Sequence, residues 1–272
     1  MNVDGGKRGL RRWLLCTTLQ GNAPTHPWGG SILWLNWQRR GDFQDLLRQT
    51  VPGQALATLG WSHISPETLT SHVAFVNMFF TTPWLSFDAF VVEPAQTLPA
   101  VHDFAELQRR ALEDFLHAQI AERLRAEPDE PQPLRLWIDG PAAGYASRKA
   151  AVAALEDHVL RPAVGRLRPV DKAIAHRTSG TRGLQLANLL LSAALAAWQD
   201  SSLNAPRRAL QNAIATHLGW PNLRTTSRPE DTKFNLRLGA PTERSRTATQ
   251  LPLFDPLPSS RTARAAKASR PT

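Results

Sequence analysis

Cysteine is almost missing from this chain. Cys16 stands alone, which excludes an intrachain disulfide and any zinc site built on thiolates, and it fits a reducing compartment. Long apolar runs are missing too. The basic residues ahead of Trp13-Leu14-Leu15-Cys16 imitate a secretory leader, but four apolar residues fall short of the roughly 7–15 that its hydrophobic region needs. Gly183 to Trp198 carries no charge, yet it is shorter than the roughly 20 residues of a bilayer span and includes Gln185 and Asn188. The expectation is a cytoplasmic protein without a membrane span. Acid is missing from the whole stretch between Asp4 and Asp42. No Gly-x-Ser-x-Gly elbow, Walker A loop or dinucleotide fingerprint occurs, and no internal repeat, so the motif-defined hydrolases and nucleotide folds are set aside.

What the chain does have is a globular composition and a strong positive balance. Its 272 residues suffice for one large domain with a sizeable core. A net charge of +9 points to a polyanionic partner, with nucleic acid first and an acidic protein second. From about Ala240 the chain turns to Pro, Thr, Ser and Arg. This divides it into a domain over residues 1–240 and a basic, disordered tail over 241–272.

Periodicity and turn residues mark the elements. Arg11 to Thr18 and Ser31 to Trp37 form short apolar runs separated by Gly-Asn-Ala-Pro and Pro-Trp-Gly-Gly, which predicts two antiparallel strands. A short helix over Asp42 to Gln49 follows. Ser65-Pro66-Glu67 offers a helix cap with proline at the first helical position, ahead of Leu69, His72, Val73, Val76, Phe79 and Phe80 at helical spacing. Leu85 to Val92 reads as a strand. Phe104 to Leu124 reads as a long amphipathic helix. Ser147 to Leu160 is a further helix stopped at Arg161-Pro162, and Val170 to Ala175 a strand. Thr181 to Gln199 is apolar nearly all round and therefore a buried helix. Ala205 to Leu218, closed by Gly219, and Lys233 to Leu238 complete the set as helix and strand. Strands followed by alternating helices and strands predict an α/β domain with a mixed sheet.

Leu134 to Ile138, bounded by Pro133 and by Gly140-Pro141, reads as the central buried strand. Asp139 stands at its carboxyl end, where α/β folds place their chemistry. Among the histidines, His72 lies between apolar neighbours and reads as a satisfied core residue. His176 opens the loop Arg177-Thr178-Ser179-Gly180-Thr181-Arg182. That loop leads into the buried helix and offers backbone donors and two arginines to a phosphate, or an ordinary cap by Ser179 or Thr181. With Lys172 on the strand before it, this gives Arg177, Arg182, Lys172 and His176 as the candidate nucleic-acid-binding residues. Trp28, Trp34 and Trp37 either pack on the sheet or stack bases. Glu156-Asp157-His158 reads as a solvated helix face.

Four segments in order resemble the bacterial family called domain of unknown function 3800: Gly60-Trp61-Ser62-His63-Ile64 with the helix and strand after it, Leu134 to Asp139, Gly183 to Leu190, and Thr232 to Leu236. The resemblance spans most of residues 10–240 and implies a ribonuclease H-like fold acting on nucleic acid, in a mobile-element or defence setting. In such nucleases a group of carboxylates holds two magnesium or manganese ions for phosphodiester cleavage. Asp139 is the position that matches as a metal ligand. The others depart from the pattern. The first strand reads Cys16-Thr17-Thr18 where an Asp-Glu-Ser is usual, Thr58 replaces a Glu, and Asn188 replaces an Asp. The resemblance therefore implies a degenerate site with Asp139 and Asn188 as its remnants. The alternatives are an active metal-dependent nuclease that recruits another acid, such as Glu93 or Asp171, and a protein-interaction scaffold.

Overall fold

Two strands that are buried along almost their whole length set the centre of the sheet. β1 (Trp13–Gln20) and β2 (Trp28–Asn36) each expose only their last residue in part, which is why their sequences are apolar without clear alternation. They pair antiparallel, Trp13 opposite Asn36 and Gln20 opposite Gly29. The computed structural model describes residues 13–21, 23–51, 59–94, 103–126, 133–141, 143–165, 171–199, 203–228 and 230–239. Asp4, Thr58 and the tail 241–272 lie outside the described residues.

The remaining elements are α1 (Arg40–Thr50), α2 (Leu69–Thr81), β3 (Leu85–Val92), α3 (Phe104–Ala126), β4 (Leu134–Ile138), α4 (Arg148–Leu155), α5 (Arg161–Val164), β5 (Lys172–Ala175), α6 (Arg182–Trp198), α7 (Ala205–Leu218) and β6 (Phe234–Leu238). The six strands lie in the order β5-β4-β1-β2-β3-β6. β1, β2 and β3 are antiparallel neighbours, while β4 joins β1, β5 joins β4 and β6 joins β3 in parallel. A mixed sheet with helices on both faces is the expected α/β class of fold.

Alternation along the strands divides the core in two. Leu14, Cys16, Leu33, Leu35, Phe87 and Val91 face α1, α2, α6 and α7. Leu15, Ile32, Trp34, Phe90, Leu136 and Ile138 face α3, α4 and the turn after it. α6 is charge-free after Arg182 because it is buried nearly all round, and Gly183 lets it approach β1. A Cβ there would lie 2.5 Å from Cys16 Sγ, closer than any real contact. At the end of α7, Gly219 takes a left-handed φ of 65°, which a residue with a Cβ resists.

Several sequence expectations are corrected. β4 is not central but second from the sheet edge. Its burial alternates, as it does for a strand open on one side, whereas β1 and β2 are covered on both. α2 begins at Leu69 rather than Pro66, because residues 66–68 form a turn in which Thr68 and Leu69 donate to the Ser65 carbonyl. Pro162 does not stop the helix. A π turn over Glu156–Leu160 carries the chain on to Val164, the wider turn accommodating a residue that lacks an N–H. Nor is Glu156-Asp157-His158 simply solvated. Glu156 accepts from the Ala173 N–H at 3.1 Å, and His158 meets Glu113 at 2.9 Å. His72 is fully buried, with its ring nitrogens 2.8 and 3.2 Å from the carbonyls of Thr68 and Gly60, so a carbonyl acceptor stands at its ring N–H in either tautomer.

Candidate functional site

The carboxyl ends of β1 and β4 lie side by side. Thr17 pairs with Ile138, so the next rung places Thr18 beside Asp139. Asp139 is half-buried, and its Oδ2 accepts from both the backbone N–H and the hydroxyl of Thr178, at 2.8 and 2.9 Å. The carboxylate thus fastens the turn Thr178–Gly180 that leads into α6. Neither Ser179 nor Thr181 caps that helix through its side chain. Gln185 does the work from inside, its Nε2 donating to the Ser179 carbonyl while its Oε1 accepts from Arg182.

At the end of β1 the polar groups are neutral and occupied with one another. Thr18 and Ser31 hydroxyls meet at 3.1 Å, and Thr17 donates to the Ser31 carbonyl. Gln20 reaches across to α6, donating to the Asn188 carbonyl at 3.1 Å and accepting from Ser192 at 2.8 Å. It is therefore the backbone of Asn188 that is used, and among the described residues no hydrogen bond joins Asn188 to Asp139. Cys16, fully buried under Gly183, has its thiol pushed up by burial and stays protonated. The sequence reading missed Gln20, Ser31 and Ser192. The polar residues in two otherwise buried strands and one buried helix were the signal for them.

The acids considered as recruits lie elsewhere. Asp171 is buried at the opposite end of β4, where its Oδ1 accepts from the Leu134 N–H. Glu93 follows β3, which is three strands from β4, or about 14 Å at the usual spacing of about 4.8 Å. Among the described residues no three His, Cys, Asp or Glu side chains converge. The charged residues flanking the turn that Asp139 holds are cationic, with Arg177 just before Thr178 and Arg182 at the head of α6. Magnesium and manganese need several oxygen anions to offset lost hydration, so the described residues around Asp139 do not fit a two-ion centre.

Cations and aromatics continue along the same face. In β4, Leu134, Leu136 and Ile138 point to the α3 core, so Arg135 and Trp137 point to the other side, where the β4–β5 edge is partly exposed. Lys172 pairs with Arg135 and is exposed. The guanidiniums of Arg135 and Arg40 both lie over the Trp37 ring, at 4.3 and 4.4 Å from its centroid. Trp37 meets Trp137 edge-on, and Trp137 meets His176 with ring centroids 4.6 Å apart. Burial, and then the charge of Arg148, hold the His176 ring below the ordinary imidazole range. Of the four predicted binding residues, Lys172 and His176 belong to this strip, exposed Arg177 follows it, and Arg182 is half-buried against Gln185. Of the three tryptophans, Trp28 and Trp34 are core residues, and Trp37 alone reaches the surface strip.

No family model matches the chain, and no curated protein matches it. Among solved structures, the crystal structure of the ribonuclease H2 from Pyrococcus horikoshii OT3 is similar to it. The TM-score is 0.45 at 10% identity, covering 76% of this chain and 89% of that chain. No helix among the described residues is long and apolar enough to cross a membrane.

Proposed function

We propose that this protein binds nucleic acid through the strip that runs from Arg40 and Trp37 over Arg135, Lys172, Trp137 and His176 to Arg177, and that it does so without cleaving the strand. The observation that carries this reading is the arrangement of Arg40 and Arg135 over one indole. Each cation–π contact is worth about 0.5–1 kcal/mol at an exposed site. Two guanidiniums held in place lose less freedom when they meet phosphates than two free ones would.

The lack of cleavage is inferred from the other end of the strip. The resemblance to domain of unknown function 3800 calls for carboxylates where this chain has Cys16, Thr17, Thr58 and Asn188. Cys16 is a buried thiol beneath Gly183, Thr17 donates to the Ser31 carbonyl, and Asp139 holds Thr178. On this reading the protein is a pseudoenzyme with a degenerate magnesium or manganese site. A mobile-element or defence setting is the one the resemblance suggests.

The test is a binding and cleavage panel on single-stranded and duplex RNA and DNA and on a hybrid. Binding is expected without divalent ion and in the presence of chelator. Affinity should fall with salt at a logarithmic slope of about −3 to −4 if Arg40, Arg135, Lys172 and Arg177 each meet a phosphate. The double variant Arg135→Glu, Lys172→Glu should reduce the affinity at least tenfold. Magnesium- or manganese-dependent cleavage that disappears in Asp139→Asn would replace this reading by that of an active nuclease. Absence of binding at low salt would replace it by that of a scaffold for an acidic protein.

A further inference from the structure

On the opposite face of the sheet, over β2, β3 and β6 and beneath the C-terminal end of α3, lies a cavity of about 580 Å³. It falls in the usual size range for small-molecule sites. Asp88 forms its floor, and its Oδ2 accepts from the indole N–H of buried Trp34 at 2.7 Å. Burial raises the pKa of this carboxyl, against the opposing pull of Trp34, Arg237, Arg123 and Asn235. Even so, Asp88 is only half-buried by surface area. Both observations hold for a group at the bottom of an open cavity, enclosed by protein yet still reached by solvent.

Gln119, on α3, lines the same cavity and is only 6% exposed. Its Oε1 accepts from Arg237 at 3.4 Å, while its Nε2 is buried without a hydrogen-bond partner. A buried amide N–H left unpaired costs about 1–3 kcal/mol, so the donor is either an unexplained loss or one half of a recognition pair. Arg123, Arg228 and Arg237 stand against Asp88, Glu122 and Asp231 in the lining, which leaves it formally neutral. A phosphate or another net ion gains little from such a field. A zwitterion would have to give up the hydration of two full charges. What matches is a neutral, flat ligand with a donor next to an acceptor.

We propose that this cavity binds a nucleobase, free or within a nucleoside, whose ring edge gives an N–H to Asp88 and accepts from Gln119 Nε2. The partly exposed guanidinium of Arg237, which pairs with Glu122 only at 3.5 Å, offers a plane on which the ring stacks. This site is separate from the phosphate-binding strip and does not depend on it.

Calorimetric titration of the full chain with guanosine, uridine, adenosine and cytidine tests it, with glycine and inorganic phosphate as the competing classes. At least one nucleoside is expected to bind below millimolar concentration, and glycine and phosphate are not. Asp88→Asn and Gln119→Glu are nearly isosteric, and each exchanges a hydrogen-bond role. Each should weaken binding by about tenfold or more, the cost of one mismatched polar contact at a base edge. Circular dichroism and a thermal melt establish that each variant is folded. If one variant does not fold, the other carries the comparison. Failure of all four nucleosides to bind at several millimolar overturns the proposal, as does binding that a folded variant leaves unchanged. Preferential binding of glycine or phosphate overturns it too.

Discussion

At Gly183 a single hydrogen stands where a methyl group would press on Cys16 Sγ. The two effects of adding that methyl oppose each other. Alanine favours a helix over glycine, by about 1 kcal/mol in an interior and less in a first turn such as this one, whereas overfilling a packed core costs about 1–3 kcal/mol. Gly183→Ala should therefore lower the unfolding free energy in the natural background. It should raise it in a Cys16→Ala background, where only an ordinary contact with the Cβ of residue 16 remains. Urea unfolding of the four proteins in this cycle checks the change of sign. Residue by residue, the site was legible only where chemistry is local. Asp139 could be picked out because a carboxylate ends an apolar strand. Gln20 and Ser192 stand out singly as polar residues in buried elements, but their pairing does not, because the contact joins positions 172 residues apart and nothing near either one announces the other.

Among the elements, β6 illustrates a charge held at the margin of a core. Lys233, just before the strand, donates to the carbonyls of Thr82 and Leu85 and lies over the Phe79 ring. Its partial burial lowers its pKa from 10.5 to about 8. Between these values the unfolded chain holds a proton that the folded chain has released, so stability should rise as the pH goes from about 8 to about 10.5. In Lys233→Met that increment should be missing, which thermal melts of both proteins across this range would reveal. The elements themselves were largely legible. The 3.6-residue repeat and the turn residues located α3, α7 and β3 closely, since those signals are local. Strand order was not legible. β4 has the cleanest turn signals on both sides, but they define only its ends. Centrality depends on which strands are covered on both faces, and β1 and β2 earn that place through partners distant in sequence. The π turn before Pro162 was hidden for a related reason, because proline marks a missing donor without saying how the backbone will accommodate it.

Across the molecule, the sheet separates two kinds of surface. One face carries the cationic and aromatic strip along β4 and β5, and the other carries the charge-balanced cavity over β3 and β6. Both lie near the margins of the sheet, because the middle is filled by the two apolar cores. The margins are also where a sheet is vulnerable, since an outer strand offers unpaired N–H and C=O groups to any passing strand. Here both outer strands are answered from within the chain. Glu156 accepts from the Ala173 N–H of β5. Ser227 donates its N–H to Leu236 of β6 and accepts from the Leu236 N–H through its hydroxyl. The π turn that carries Glu156 to β5 thereby occupies a donor that an outer strand would otherwise offer to another strand. Removing the carboxylate in Glu156→Ala should leave the fold intact, yet it should make concentrated solutions more prone than those of the unaltered protein to form β-rich multimers, detectable by light scattering and by thioflavin fluorescence.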